Sequence, residues 1–417
     1  MFKAMRIHNF RTFRSLRVER IEKVNLITGK NGAGKTAFLE ALFLNAGATN
    51  TNICIALQNF RGSSAFAPSD DSIFRNLFHH LSVAHPIELI AEWESREARS
   101  RTNRTLSIEP LTATAPKVMQ SATTELVTGL RFSFRGAGVK GSSKIQWTDV
   151  PALTTSTLEP PGHARMLPEL PVRTLPSTRG EIALPHYSNF ERPAVQGSLF
   201  TDQPRMKRLN AESPPSTATV NAIFVLARYY SISAQLHQQL VDALKQKTIE
   251  KILSVARIVD DRVVNIVPLS EGGISEIYID IGEPRLIPLP LMGAGFFNAL
   301  NIAAATLSVS GGVALIDEIE DGIHYLAFPA LARALLRIIS ETNTQVFVTT
   351  HSDEMIEAFA EAAESLKFSN IAALHFKRSQ PGSGERGSDA AGDGIIRVRR
   401  FAVDDIRAAR EVNLELR

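Results

Sequence analysis

The octapeptide Gly29-Lys30-Asn31-Gly32-Ala33-Gly34-Lys35-Thr36 constrains this chain more than any other stretch. Before it, Lys23 to Thr28 has the apolar pattern of a short strand. After it, Ala37-Phe38-Leu39-Glu40-Ala41-Leu42-Phe43 keeps apolar residues at helical spacing. Strand, glycine-rich loop and helix in that order are the setting of a phosphate-binding P-loop. Gly29, Gly32 and Gly34 let the backbone curl so that successive N–H groups, those of Asn31 and Ala33 among them, point inward around an anion. The helix start adds the positive end of its dipole. Lys35 is then placed for the β- and γ-phosphates and the Thr36 hydroxyl for magnesium. ATP and Mg2+ are the expected cofactors.

Three later segments fit that expectation. Val313-Ala314-Leu315-Ile316 runs into Asp317-Glu318, which puts paired carboxylates at the C-terminal edge of a buried strand, where ligands sit in open α/β folds. Asp317 suits magnesium and Glu318 suits the polarisation of an attacking water. The bland alternative is a solvated strand end before a helix, where acids are favoured anyway. Thr349-Thr350-His351-Ser352 ends the next buried strand, so His351 can reach a γ-phosphate or the attacking water. Leu291-Met292-Gly293-Ala294-Gly295 precedes a helix; Gly293 and Gly295 there suit either a backbone anion site or a closely packed helix start.

At 417 residues the chain has room for two domains or for one core with an insertion. The net charge of +3 permits nucleic-acid contact without arguing for it. A single cysteine, Cys54, excludes an internal disulfide and a Cys-based zinc site, so a cytoplasmic, reducing location is expected. The N-terminus shows no apolar signal segment. Residues 286–316 lack charge over a span long enough for a bilayer, but Pro288, Pro290, four glycines, Asn298 and Asn301 favour a loop, a buried helix and a buried strand.

Alternation predicts strands at 2–10, 18–22, 87–93, 130–134 and 277–281, and one amphipathic helix from Ile232 to Arg257. Helices are predicted at 298–307 and 325–339, with buried strands at 312–316 and 345–349; this β-α-β order implies a parallel sheet covered by helices. More than half of the prolines fall between 151 and 215, which suits neither a regular helix nor a central strand. The expected organisation is an N-terminal part of the head at 1–50, a strand-rich arm at 51–150, and a Pro-rich, partly mobile insertion at 151–217. The C-terminal part of the head follows at 218–376, then a linker with a terminal strand and helix at 377–417.

Together these elements resemble the ABC-type ATPase heads of the SMC, RecF and OLD group, most of all the stand-alone OLD-like AAA family ATPases. The resemblance begins with Met5-Arg6-Ile7-His8-Asn9-Phe10-Arg11-Thr12-Phe13 and Asn25 to Gly32, and covers roughly residues 1–45 and 220–376. It implies an α/β P-loop head of ABC type, a mixed sheet with flanking helices, carrying a long insertion between the Walker A loop and the signature motif. It also implies that Arg11 contacts nucleotide, that Pro288 to Gly295 is the signature, that Asp317 to His324 is the Walker B and D-loop, and that His351 is the switch histidine. In that group two heads close face to face around ATP, so a homodimer or higher homo-oligomer is implied. Ala294, Phe296 and Phe297 stand where the group's signature usually has a reaching Ser, Asp or Arg, which suggests slow or partner-stimulated hydrolysis. Full-length OLD proteins add a TOPRIM nuclease; no such domain is expected after His351.

Three functions follow as expectations. The first is a Mg-dependent ATPase switch that controls a separate effector, a nuclease or toxin, in anti-phage defence. The second is a RecF-like ATPase acting directly on DNA. The third is a non-hydrolysing scaffold held together by ATP. No membrane partner is expected.

Overall fold

The computed structural model describes residues 1–61, 71–95, 100–114, 125–136, 138–151, 205–211, 219–226, 233–271, 274–379, 395–402, 404–406 and 408. Strands β1 (Phe2–Phe10) and β2 (Phe13–Val18) form a hairpin in which Met5, Ile7, Phe13 and Leu16 turn inward while Arg6 and Arg17 stay exposed. The second strand thus precedes the 18–22 alternation predicted for it; the chain leaves the ladder at Val18 and Arg20 adopts a left-handed turn conformation. Strand β3 (Val24–Thr28) leads through the P-loop into α1 (Lys35–Ala46). Two short helices, α2 (Asn52–Phe60) and α3 (Ser72–Arg75), follow. Then come the long strands β4 (Ile87–Glu94), β5 (Arg101–Thr114), β6 (Glu125–Gly136), β7 (Val139–Pro151) and β8 (Arg205–Ala211).

These strands build one antiparallel seven-stranded sheet in the order β2-β1-β4-β5-β6-β7-β8. Of the Pro-rich stretch, residues 152–204 and 212–218 lie outside the described residues, while 205–211 form the edge strand β8 against β7.

The second half supplies β9 (Ala222–Leu226), α4 (Ser233–Lys245), α5 (Ile249–Val259), β10 (Asn265–Glu271), β11 (Ile274–Asp280) and β12 (Ile287–Pro288). The single helix predicted from 232 to 257 is broken between α4 and α5, where Lys247 takes a left-handed conformation. After α6 (Ala294–Ser308) come β13 (Val313–Asp317), α7 (Phe328–Thr342), β14 (Gln345–Thr349), α8 (Asp353–Ser365), β15 (Ile371–Arg378) and β16 (Ile396–Ala402). Residues 325–327, predicted as the first turn of α7, form a separate 3-10 turn.

The central sheet runs β16-β15-β3-β14-β13-β9, parallel throughout except for β16. Its inner strands are buried on both faces, which is why they are apolar without alternation. On β13, Val313 and Leu315 join a core with α1 and the seven-stranded sheet, while Ala314 and Ile316 join a second core with α4 to α8. Helix α1 lies between the two sheets and is buried along nearly its whole circumference, Phe38 meeting Phe347 and Phe376, and Phe43 meeting Phe224. Among the described residues no helix is long and apolar enough to cross a membrane.

Candidate functional site

Because β3, β14 and β13 are adjacent and parallel, their C-terminal ends bring the P-loop, His351 and Asp317-Glu318 to one edge of the sheet. The loop curls as its glycines demand. Gly29, Gly32 and Gly34 have φ of 130°, 76° and 95°. A Cβ on Gly29 would lie 2.2 Å from the Phe376 carbonyl oxygen, and one on Gly34 would lie 2.7 Å from the Phe13 ring. Gly29 and Gly34 therefore serve packing as well as backbone freedom. Ala33 is buried, and Asn31 is exposed at the turn.

Lys35 is buried, and its ammonium donates to Gly29 O at 2.7 Å and Lys30 O at 3.2 Å. It also lies 3.5 Å from His351 Nδ1. Burial draws the Lys35 pKa below its usual value, against the opposing pull of Asp317, Glu318 and Glu320.

Thr36 and Asp317 meet directly: Thr36 Oγ1 lies 3.1 and 3.0 Å from the two carboxylate oxygens. Burial raises the Asp317 pKa, while hydrogen bonds from Thr349 and Thr36 hold it down. A hydroxyl and a carboxylate side by side are hard oxygen donors of the kind magnesium takes. Among the described residues no cluster of three or more His, Cys, Asp or Glu could form a protein-only cage. The donor set fits a cation that keeps most of its ligands as water and phosphate oxygen.

Glu318 follows in a left-handed conformation, φ 52°, which costs a non-glycine residue on the order of 1 kcal/mol. Thr349 holds that turn. Its hydroxyl accepts the Glu318 N–H at 2.8 Å and donates to Asp317 Oδ1 at 2.5 Å. One hydroxyl thus orients both acids. His351 Nε2 lies 4.0 Å from Glu318 Oε1, and the His351 N–H donates to Glu320 Oε1 at 2.5 Å. Burial, then the Lys35 charge, lower the His351 pKa, and Glu320 and Glu318 oppose them.

Gly293 (φ 84°) caps the start of α6, and Gly295 packs against the turn after β13. A Cβ on Gly295 would lie 2.0 Å from Gly322 O, and Asn298 Nδ2 donates to Asp321 O at 2.7 Å. The close-packing reading of these glycines is therefore realised at Gly295, whereas a Cβ on Gly293 would meet nothing within 4 Å.

Arg11 pairs inside the fold: Nε donates to Glu40 Oε2 at 3.0 Å and Nη1 to Asn76 O at 2.8 Å, while Nη2 is buried with no hydrogen-bond partner among the described residues. The physical reason is Glu40, 1% exposed on α1, whose charge needs a cation inside the fold. Arg61 supplies a second one, bonding both Glu40 oxygens at 2.9 and 3.1 Å while remaining 44% exposed. The charge of Asp317 reaches both Glu40 and Arg61, which places this triad beside the site. The sequence reading missed Glu40, Arg61 and Thr349. A lone acid within the apolar run Ala37 to Phe43 was the available signal for the first, since such a charge must be paired.

Comparison with known proteins bears on the fold. Residues 216–357 match the family described as "AAA domain, putative AbiEii toxin, Type IV TA system", and residues 4–71 match a family described as "AAA domain". The chain is 22% identical over 378 residues to an "ATP/GTP phosphatase" of Helicobacter pylori, covering 89% of this chain and 90% of that protein. Two solved structures superpose over nearly the whole chain. One is an SMC head bound to the C-terminal winged-helix domain of ScpA (TM-score 0.51, 10% identity, 98% of this chain and 99% of that one). The other is an SMC head with an extended coiled coil bound to the C-terminal domain of ScpA, from Pyrococcus furiosus (TM-score 0.50, 9% identity, 99% of each). The fold is that of an ABC-type P-loop ATPase head, with matches to AAA-domain families on either side of its long middle segment.

Proposed function

We propose that the protein is a Mg-dependent ATPase that works as a switch, two heads closing on ATP and reopening after hydrolysis. The observation that carries this reading is the contact of Thr36, Asp317, Thr349 and Glu318 at the ends of adjacent strands. Thr36 and Asp317 would hold magnesium. A cation held there would supply neutralisation of phosphate charge. Lys35, now held by the carbonyls of its own loop, exchanges those partners for phosphate oxygens. Glu318 orients the attacking water and accepts its proton, and His351 offers an Nε2–H to the same region. The Arg61 guanidinium, half-exposed and fixed by Glu40, is a further cation for the phosphates.

Two heads complete one site in this reading. Leu291, Tyr325 and Leu326, at 75%, 59% and 72% exposed, flank the Gly295–Gly322 contact and suit burial against a second copy. The matched family's description names a toxin–antitoxin system, which supports control of a separate effector by nucleotide state. The test is the mass of the purified protein in solution with ATP and magnesium. Glu318→Gln is expected to be dimeric and Lys35→Ala monomeric. A Glu318→Gln mass that does not change with nucleotide would sink the switch.

A further inference from the structure

Glu320 is the third acid of the run Asp317-Glu318-Ile319-Glu320, and neither the magnesium donors nor the proposed base includes it. Its place follows from how β13 and β14 end. Successive N–H groups along a strand point to opposite sides of it. Just past β14, the Thr350 N–H goes to Ile27 O on the β3 side at 3.1 Å, so the His351 N–H points to the β13 side. There β13 has already turned away: Glu318 is left-handed, and the Asp321 N–H closes a turn onto Glu318 O at 3.0 Å. The Glu320 carboxylate stands where a strand carbonyl would have been, Oε1 accepting the His351 N–H at 2.5 Å. Donation of a backbone N–H to a carboxylate is charge-assisted and roughly twice as strong as a neutral hydrogen bond.

The turn that carries Glu320 is fixed on both flanks. Ile319 is buried and its N–H donates to Thr349 O at 3.2 Å, the Ile323 N–H donates to Glu320 O at 3.1 Å, and Asn298 on α6 holds Asp321 O. Glu320 Oε2 is buried and has no hydrogen-bond partner among the described residues. Burying a carboxylate oxygen unpartnered is unfavourable, so the fold gains nothing from an acid here beyond its bond to His351. The ring of His351 spans two groups of the site, Nδ1 lying 3.5 Å from Lys35 Nζ and Nε2 4.0 Å from Glu318 Oε1. Neither contact is short, so the backbone at His351 chiefly sets where the ring sits.

We infer that Glu320 is a positioning residue for hydrolysis: by holding the His351 N–H it fixes the imidazole where it can meet the γ-phosphate or the attacking water. This inference rests on the ATPase reading of the site. Glu320 acts through an acceptor oxygen at the right reach, not through its charge. A side chain that keeps the oxygen but loses the charge therefore serves better than one that keeps the charge but is a methylene shorter.

The experiment combines ATP turnover of full-length variants with the NMR resonance of the His351 backbone amide. Glu320→Ala should lower kcat by about tenfold to a hundredfold with the KM for ATP within about threefold of wild type. In a His351→Gln background the same substitution should cost nothing further, within about twofold. Glu320→Gln should keep most of the turnover and Glu320→Asp should lose it; if Glu320→Ala does not fold, that order carries the test. The His351 amide proton should resonate downfield in wild type and Glu320→Gln, and move upfield in Glu320→Ala. Equal losses with and without His351 would overturn the inference. So would faster turnover by Glu320→Asp than by Glu320→Gln, or an amide resonance that Glu320→Ala leaves in place. A wild type that does not hydrolyse ATP would sink the ATPase reading instead, and the amide resonance would then decide the Glu320–His351 contact by itself.

Discussion

The Lys35 ammonium lies 3.5 Å from Nδ1 of His351, and because an ammonium can only donate, Nδ1 is the accepting nitrogen of that ring. A neutral imidazole with its proton on Nε2 fits that contact and the 4.0 Å approach of Nε2 to Glu318. The lowered His351 pKa agrees, burial and the Lys35 charge both disfavouring a second proton.

This relationship sets a pH dependence. With the folded pKa below the ordinary 6.5, the unfolded chain binds more protons in the window just under 6.5. Stability from this residue is thus full above 6.5 and is lost as pH falls towards the folded value. Asp317 works the other way in a window that opens at 3.8, where its raised pKa lets the folded state take up protons first. Melting temperatures at pH 7 and pH 6 should fall less for His351→Gln than for the wild type; equal falls would contradict the assignment.

Thr349→Val should damage the site without touching nucleotide. It removes the hydroxyl that accepts from Glu318 N–H and donates to Asp317, leaving the Glu318 N–H without that acceptor and Asp317 with the Thr36 hydroxyl alone of the two. A cost of about 1–3 kcal/mol is expected by chemical denaturation, together with a drop in hydrolysis. Thr349→Ser, which keeps the hydroxyl, should recover much of both.

Gly295→Ala places a methyl 2.0 Å from the Gly322 carbonyl oxygen, in a contact between backbones that cannot rotate away. A loss of about 1–3 kcal/mol is expected. Gly293→Ala meets no neighbour but puts an alanine at φ 84°, so its penalty comes from backbone strain alone. Thermal melting of the two variants separates the two causes.

Much of the head was legible in the sequence because its elements are local. The P-loop pairs a strand, a loop and a helix within a few residues, and β13 and β14 are apolar runs that end on their polar residues. What was hidden depends on long-range contact. The Arg11–Glu40 pair forms only because α1 is sandwiched between two sheets. Thr349 looked like the last residue of a strand, and its bridge between the two acids depends on β14 lying next to β13. Even the break between α4 and α5 rests on one left-handed residue, Lys247, that periodicity does not reveal.

The central claim is that Glu318, set on its strained turn by Thr349, is the group that activates water for ATP hydrolysis. Single-turnover hydrolysis by Glu318→Gln, measured beside its ATP affinity with magnesium present, tests it most directly. The predicted result is a rate lower by about a hundredfold or more with ATP affinity within about threefold of wild type. Turnover at the wild-type rate in Glu318→Gln would contradict it.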